Sequence, residues 1–151
     1  MNILFIEDEL SKQRYVLKFL KEKHIENITT VNSVMSGMIK LKQEKYDYLL
    51  LDMSLPLYDF NGEDEDNNEF DAFGGLEILN EVQRRGMVVK VVVIKAFDII
   101  EDSTRRLDLE QLDIQMKDNY PSNYLGCIHY DLSSLEWKME LSNLILGEKI
   151  L

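Results

Sequence analysis

The chain has few of the residues that mark disulfide-bonded or nucleic-acid-binding proteins. One cysteine in 151 residues excludes an internal disulfide and gives no cysteine spacing for a metal site. That residue, Cys127, stands among apolar neighbours and is interpreted as a core residue. The chain has 17 basic and 28 acidic residues, and its net charge of -11 argues against binding to a nucleic-acid phosphate backbone. The acidic balance favours solubility or a basic protein partner.

Long apolar runs are also missing. The run at residues 2–6 is too short for a signal peptide and leads directly into three acids. No run approaches the roughly 20 residues of a membrane span. We therefore expect a cytoplasmic chain with neither a membrane nor a nucleic-acid partner. The length, with 45% hydrophobic and 30% charged residues, is typical of one globular domain, residues 1–151.

Residues 46–56 contain the most informative pattern in the sequence. Residues 49–51 are three leucines in a row, which is typical of a strand buried on both faces of a parallel sheet. Asp52 follows where this strand would run into a loop, and Pro56 is expected to prevent ladder pairing soon after. Ligands of open α/β sheets bind outside the carboxyl ends of strands. Asp52 is therefore a candidate for chemistry or metal binding, or else a turn cap.

A second predicted strand, residues 2–6, also ends in acids, Glu7-Asp8-Glu9. If the two strands are neighbours in a parallel sheet, then Glu7, Asp8 and Asp52 converge. Like-charge repulsion strains such a cluster unless a cation lies within it. Carboxylate oxygens are hard ligands of the kind that Mg²⁺ prefers, and Mg²⁺ also coordinates phosphate oxygens.

Residues 3–9 and 46–56 together resemble the receiver domain of two-component response regulators, the CheY-like superfamily. The resemblance is good over residues 1–56, interrupted over 74–97 and weak thereafter. It implies an α/β fold with a doubly wound five-stranded parallel sheet, in the flavodoxin-like order 2-1-3-4-5, and helices on both faces.

The resemblance also implies roles for four residues. Asp52 would be the phosphoacceptor, and Glu7, Asp8 and Asp52 would hold Mg²⁺ together with the backbone carbonyl of Ser54. The chain would be a regulatory phosphoacceptor rather than an enzyme, and self-phosphotransfer is left open. Its partners would be a histidine kinase or phosphotransfer protein and a downstream protein, and a homodimer is left open.

The hydrophobic pattern predicts alternating strands and helices, as crossover connections in a parallel sheet require. Strands are predicted at residues 2–6, 25–31, 47–52, 87–94 and within 123–130. Helices are predicted at residues 10–23, 33–44, 75–85, from about 102 to 116, and from 131 or 133 to 146. In the first of these helices the apolar stripe includes Val16 and Phe19, whereas Lys12 is assigned to another face.

Residues 57–73 interrupt this pattern with seven acids and no lysine or arginine. We interpret the segment as an insertion of about a dozen residues relative to receivers, and its composition predicts a mobile surface loop. Alternatively it is a docking or metal-binding segment. Asp64, Asp66 and Asn68 alternate as in a calcium loop, but the central Gly and closing Glu are not at the required offsets.

Two departures from receivers concern the phosphoryl site. Where receivers end the fourth strand with Thr or Ser, this chain has Lys95. Lys95 is expected to pair with Asp52 or to contact an acyl phosphate, unless it points to solvent. Receivers end the fifth strand with Lys-Pro, whereas this chain has Ile128, His129 and Tyr130. Either Lys95 or, more weakly, His129 would replace the missing cation.

The sequence thus favours a receiver that accepts a phosphoryl group on Asp52 and modulates a protein partner by contact, since no output domain follows. The alternative is a pseudo-receiver, an interaction module that signals without phosphorylation. Two enzyme classes fit less well. Haloacid dehalogenase-type phosphatases have a second Asp where Ser54 stands, and the acids at residues 7–9 would repel the cofactor phosphate of a flavodoxin.

Overall fold

The computed structural model describes residues 1–59 and 69–147. The helices and strands follow one another along the chain in the order β1 (Ile3–Ile6), α1 (Leu10–Glu22), β2 (Ile28–Val31), α2 (Val34–Gln43), β3 (Tyr48–Leu51), β4 (Leu55–Pro56), β5 (Phe70–Asp71), α3 (Gly74–Arg84), β6 (Lys90–Lys95), β7 (Ile99–Glu101), β8 (Arg106–Asp108), α4 (Leu109–Asn119), β9 (Tyr124–His129) and α5 (Glu136–Leu146). Within the described ranges, no helix is long and apolar enough to cross a membrane.

The main sheet has five parallel strands in the order β2-β1-β3-β6-β9. Numbered within this sheet, the order is 2-1-3-4-5, which confirms the doubly wound fold class. In the register of β1 and β3, Ile6 pairs with Leu51. The residues that follow, Glu7 and Asp52, therefore leave the same edge of the sheet side by side.

Both faces of the sheet are covered by helices. Alternating side chains of β3 enter two separate apolar clusters: Leu49 and Leu51 pack with α2, α3 and α4, whereas Leu50 packs with α1 and α5. All three leucines are completely buried. The unbroken apolar run in the sequence is therefore explained by burial on both sides.

The prediction of a helix from about residue 102 is wrong for the residues before 109. Residues 99–108 form an antiparallel hairpin of β7 and β8, and α4 begins only at Leu109. The Asp102 carboxylate accepts hydrogen bonds from the backbone N–H groups of Thr104 and Arg105, which favours a turn over a helix. The helix cap is Asp108, whose carboxylate accepts from the N–H of Gln111 at 2.8 Å.

The last helix also begins later than predicted. Asp131 accepts hydrogen bonds from both the backbone N–H and the hydroxyl of Ser133, so this side chain stabilises a turn. Helix α5 starts at Glu136. Neither Asp131 nor Ser133 is its N-cap.

Pro56 does not end strand pairing as expected. Leu55 and Pro56 pair with Asp71 and Phe70 in a two-residue antiparallel ladder, and Leu57 then donates to the Glu69 carbonyl at 2.9 Å. Proline is tolerated because the short ladder needs no hydrogen from its nitrogen. The ladder joins the two ends of the acidic segment. Residues 60–68, and with them the predictions of a mobile loop, a docking segment or a calcium loop, lie outside the described residues.

Candidate functional site

Three carboxylates meet at the carboxyl edge of the sheet. Glu7, Asp8 and Asp52 each present an oxygen atom, and these atoms lie within 4.8 Å of one another. Glu7 and Asp52 are only 1% and 8% exposed, whereas Asp8 is exposed to solvent. The structure thus brings together the three acids that the sequence placed at two neighbouring strand ends.

Backbone hydrogen bonds fix two of these carboxylates. The Asp52 N–H donates to the Ile6 carbonyl at 3.1 Å, which extends the pairing of β1 and β3 by one residue. Asp52 Oδ1 then accepts from the Met53 N–H at 2.8 Å. Glu7 Oε2 accepts from the Glu9 N–H at 3.1 Å. The side chains are therefore held in place by local main-chain donors.

Gly75 allows helix α3 to begin directly against this edge. Its N–H donates to the Met53 carbonyl at 2.8 Å. A Cβ atom at this position would lie 2.9 Å from the carbonyl oxygen of Asp52, a distance that real Cβ atoms do not show. The glycine is thus required for close approach of two backbones.

Lys12, which the sequence analysis assigned to another face of α1, is instead buried within the carboxylate cluster. Its side chain is 1% exposed, and its Nζ lies 2.5 Å from Glu7 Oε1 and 3.8 Å from Asp52 Oδ1. The ammonium group also donates to the carbonyl of Ile94 at 2.6 Å. The site therefore contains a cation that sequence reasoning missed.

The spacing of residues along α1 could have predicted that Lys12 points inward. Lys12 lies four residues before Val16, and side chains four apart share one face of a helix. Val16 is completely buried and packs in the apolar cluster beneath the sheet. A lysine in register with that stripe, soon after an acidic triplet, could have been recognised as an inward-facing cation.

Lys95 is also buried, at 4% exposed, so the alternative in which it points to solvent is wrong. Its Nζ donates to the hydroxyl of Ser54 at 3.2 Å and lies 5.4 Å from the centre of the Phe97 ring. The Ser54 hydroxyl in turn donates to the carbonyl of Ala72 at 2.9 Å. Lys95 thus contacts the loop that follows Asp52, while Lys12 is the lysine that pairs with Asp52 itself.

His129 does not bring a cation to the cluster. Its ring is 43% exposed, with Nε2 lying 3.3 Å from Asp98 Oδ1 and 3.2 Å from the Ala96 carbonyl oxygen. The next residue, Tyr130, is buried against Trp137, with ring centres 5.1 Å apart. The end of the fifth sheet strand therefore gives the site no replacement for the receiver lysine.

Burial and like charge disfavour the ionised carboxylates. Burial raises the pKa of Glu7, and nearby Asp52 adds to this, while Lys12 opposes it. Burial and Asp52 likewise raise the pKa of Asp8. Burial lowers the pKa of Lys95, against the attraction of Asp52. A bound divalent cation would relieve this repulsion, and three hard oxygen donors within 4.8 Å fit Mg²⁺.

The cluster lies at the base of an open cleft of about 770 Å³. The cleft is lined by the three carboxylates, both lysines, Ser54 and an apolar rim, which includes Phe70, Phe97 and Ile99. These rim side chains are exposed by 62%, 70% and 42%. The carboxylate cluster thus shares a solvent-open cleft with both lysines.

No protein-family model matches the chain. Two curated proteins match over nearly their full length. The uncharacterized protein y4jR of Sinorhizobium fredii is 24% identical over 144 residues, which cover 95% of each chain. The Detocs response regulatory protein DtcB of Enterobacter cloacae is 23% identical over 143 residues, 93% of this chain and 95% of DtcB.

Solved structures show the same fold at low identity. The Mn²⁺-bound response regulator Rcp1 has a TM-score of 0.66 at 21% identity, covering 99% of this chain and 96% of Rcp1. The receiver domain of the Francisella response regulator 1452 has a TM-score of 0.62 at 16% identity, covering 98% of each chain. TrrA of Thermotoga maritima, solved with Mg²⁺ and beryllofluoride, has a TM-score of 0.54 at 15% identity, covering 96% of this chain and 100% of TrrA. The chain therefore has the fold of response-regulator receiver domains, as its sequence predicts.

Proposed function

We propose that this chain is a two-component receiver that accepts a phosphoryl group on Asp52 in a Mg²⁺-dependent reaction and then modulates a protein partner. The observation that carries this proposal is the carboxylate cluster of Glu7, Asp8 and Asp52. It lies at the base of an open cleft, on a fold shared with response regulators. The donor would be a histidine kinase or a phosphotransfer protein, and the chain would act as a regulatory phosphoacceptor.

The chemistry is an in-line displacement at phosphorus. Asp52 Oδ1 is already engaged by the Met53 N–H, so we assign the other carboxylate oxygen, Oδ2, as the nucleophile. A bond forms between this oxygen and the phosphorus of a phosphohistidine while the P–N bond breaks. The electron pair of that bond stays on the imidazole nitrogen, which then takes a proton. The product is an acyl phosphate on Asp52.

Glu7, Asp8 and Asp52 would hold Mg²⁺, with the carbonyl of Ser54 as a fourth ligand. When bound, the ion neutralises the charge that develops on the transferred phosphoryl oxygens. The chain itself contributes position and charge. Main-chain N–H groups hold Glu7 and Asp52, and two lysines bring positive charge into the cleft.

Uptake of beryllofluoride, an acyl-phosphate mimic, tests the proposal. We expect amide NMR shifts around Glu7, Asp8 and Asp52 when beryllofluoride and Mg²⁺ are both present, and none when Mg²⁺ is omitted. Asp52→Asn should abolish the shifts. Asp98→Asn is the matched control, because Asp98 is an exposed carboxylate beside His129 and outside the cluster.

Transfer itself is measured by intact mass after incubation with phosphoramidate, a small donor that carries a P–N bond. The wild type should gain one phosphoryl group and Asp52→Asn should gain none. Absence of both beryllofluoride uptake and phosphorylation at saturating Mg²⁺ would contradict the proposal. That result would support the pseudo-receiver, which signals without phosphorylation.

A further inference from the structure

The residues at the end of β9 bring no positive charge to the carboxylate cluster. A phosphoryl group on Asp52 carries a charge of roughly -1.5 to -2 at neutral pH, more than the carboxylate that it replaces. The residues at the end of this strand, His129 and Tyr130, place no cation in the cluster: one contacts Asp98 and the other packs on Trp137. A side chain that balances the added charge alongside Mg²⁺ would therefore come from another element.

Lys12 occupies an energetically costly position. It is the third residue of α1, in the first helical turn, where the helix dipole disfavours a cation. It is also completely desolvated, which disfavours any unpaired charge. The compensation comes from the site: the carboxylates of Glu7 and Asp52, the Ile94 carbonyl and the face of the Tyr130 ring, whose centre is 5.8 Å from Nζ.

The Lys12 ammonium group lies farther from Asp52 than from its other polar neighbours. An ammonium group has three N–H donors. The Ile94 carbonyl accepts one of them at 2.6 Å, and Glu7 Oε1 lies 2.5 Å from Nζ as an ion-pair partner. The next acceptor is Asp52 Oδ1 at 3.8 Å, which is too long for a hydrogen bond. Phosphorylation would add three acceptor oxygens to the Asp52 side chain.

We propose that Lys12 binds the phosphoryl group on Asp52, so that helix α1 supplies the cation that the fifth strand of the sheet lacks. This inference rests on the proposed function. Within residues 1–59 and 69–147, Lys12 is the one lysine that forms an ion pair with Asp52. The Lys95 ammonium group instead donates to the hydroxyl of Ser54, and in this proposal it positions the loop that follows Asp52.

The variant Lys12→Met tests this assignment, because methionine keeps an unbranched chain but removes the charge. We expect the rate of phosphorylation by phosphoramidate and the affinity for beryllofluoride to fall about tenfold to a hundredfold, the effect of one charge-assisted hydrogen bond. Mg²⁺ affinity, measured separately, should stay the same or increase because a positive charge beside Glu7 is gone. Lys18→Met, an exposed lysine on the same helix, is the control and should change neither.

The two readouts separate phosphoryl binding from a structural role. A variant that weakens Mg²⁺ and beryllofluoride binding together would show that Lys12 only maintains the fold, and would overturn the inference. Undiminished uptake in Lys12→Met would also overturn it, as would a loss that appears in Lys95→Met instead. If the wild type itself takes up no beryllofluoride, the proposed function fails and the inference fails with it.

A measurement on the wild-type chain covers the case in which Lys12→Met does not fold. The ¹⁵N resonance of the Lys12 ammonium group, identified by its loss in Lys12→Arg, should shift when beryllofluoride is added in the presence of Mg²⁺. Addition of Mg²⁺ alone should not reproduce that shift. A Lys12 resonance that is unchanged by beryllofluoride, while the Asp52 amide shifts, would refute the assignment.

Discussion

Breaking the buried pair of Lys12 and Glu7 should destabilise this protein more than removing the pair altogether. Both side chains are 1% exposed, and their charged atoms are 2.5 Å apart. The single variants Lys12→Met and Glu7→Gln each leave one buried charge with its main partner gone. The double variant leaves neither charge. Gln at position 7 keeps an oxygen that can accept from the Glu9 N–H.

The expected magnitudes follow from this geometry. Loss of one partner of a buried ion pair costs about 3–5 kcal/mol of unfolding free energy. Glu7→Gln should be at the lower end, because Asp52 at 3.8 Å still partly compensates Lys12. The double variant should cost only about 1–2 kcal/mol, mainly because the Ile94 carbonyl loses its buried donor. The coupling between the two substitutions is therefore several kcal/mol, a large share of the about 5–15 kcal/mol that holds a typical domain.

The cost of Lys12→Met should also depend on pH. Burial raises the pKa of Glu7 in the folded chain above its ordinary value of 4.5, and loss of Lys12 removes the main opposing attraction. A carboxyl whose folded pKa is raised contributes stability that is present below pH 4.5 and is lost as the pH rises through the folded value. Because the pKa of Glu7 is already raised to about 8 with Lys12 present, wild type and Lys12→Met should lose stability in parallel up to about pH 8, and the cost of Lys12→Met should increase above that pH. The double variant should lack this additional slope.

Urea unfolding without Mg²⁺, followed by the fluorescence of Trp137 at pH 6 and pH 9, measures all four proteins. Trp137 is 2% exposed and packs against Tyr130, so its emission should report loss of this part of the core. Additive costs, with the double variant as unstable as the sum of the single variants, would refute the buried pair. A Lys12→Met variant with the same stability change at both pH values would refute the effect of Glu7 ionisation.

Two further predictions concern the packing around the site. Gly75→Ala should cost about 1–3 kcal/mol and shift the amide resonances around Asp52 in NMR spectra, because the added methyl group would overlap the carbonyl of Asp52. Gly86→Ala, with open space but φ of +63°, should cost about 1–2 kcal/mol and leave those resonances unchanged; equal NMR effects would contradict the role of Gly75. Burial, reinforced by Asp113, raises the pKa of the Cys127 thiol to about 12. Cys127 should therefore react with a disulfide reagent at pH 8 about a thousandfold more slowly in the native chain than in urea, and comparable rates would refute the raised pKa of its thiol.

Local sequence was sufficient to predict most of the architecture. The leucines of β3 and the β-branched run of β6 have few alternatives to a buried parallel strand, and glycine and capping residues separate them from the helices. The error at residues 99–108 has a local cause as well. The Asp102 side chain satisfies backbone N–H groups in a turn, while Ile100 and Leu107 are buried together from opposite strands. Periodicity alone does not distinguish such a short hairpin from the first turns of a helix.

The sequence by itself determined where the three acids would be. Glu7, Asp8 and Asp52 directly follow strands, and the ends of neighbouring parallel strands meet at one edge of a sheet. Only the tertiary structure decided which cations join them. Lys12 is buried because it contacts the Ile94 carbonyl, 82 positions away in the chain, and pairs with carboxylates from two strands. A lysine remains solvated unless such distant partners compensate its desolvation, and that compensation exists only after the sheet has formed.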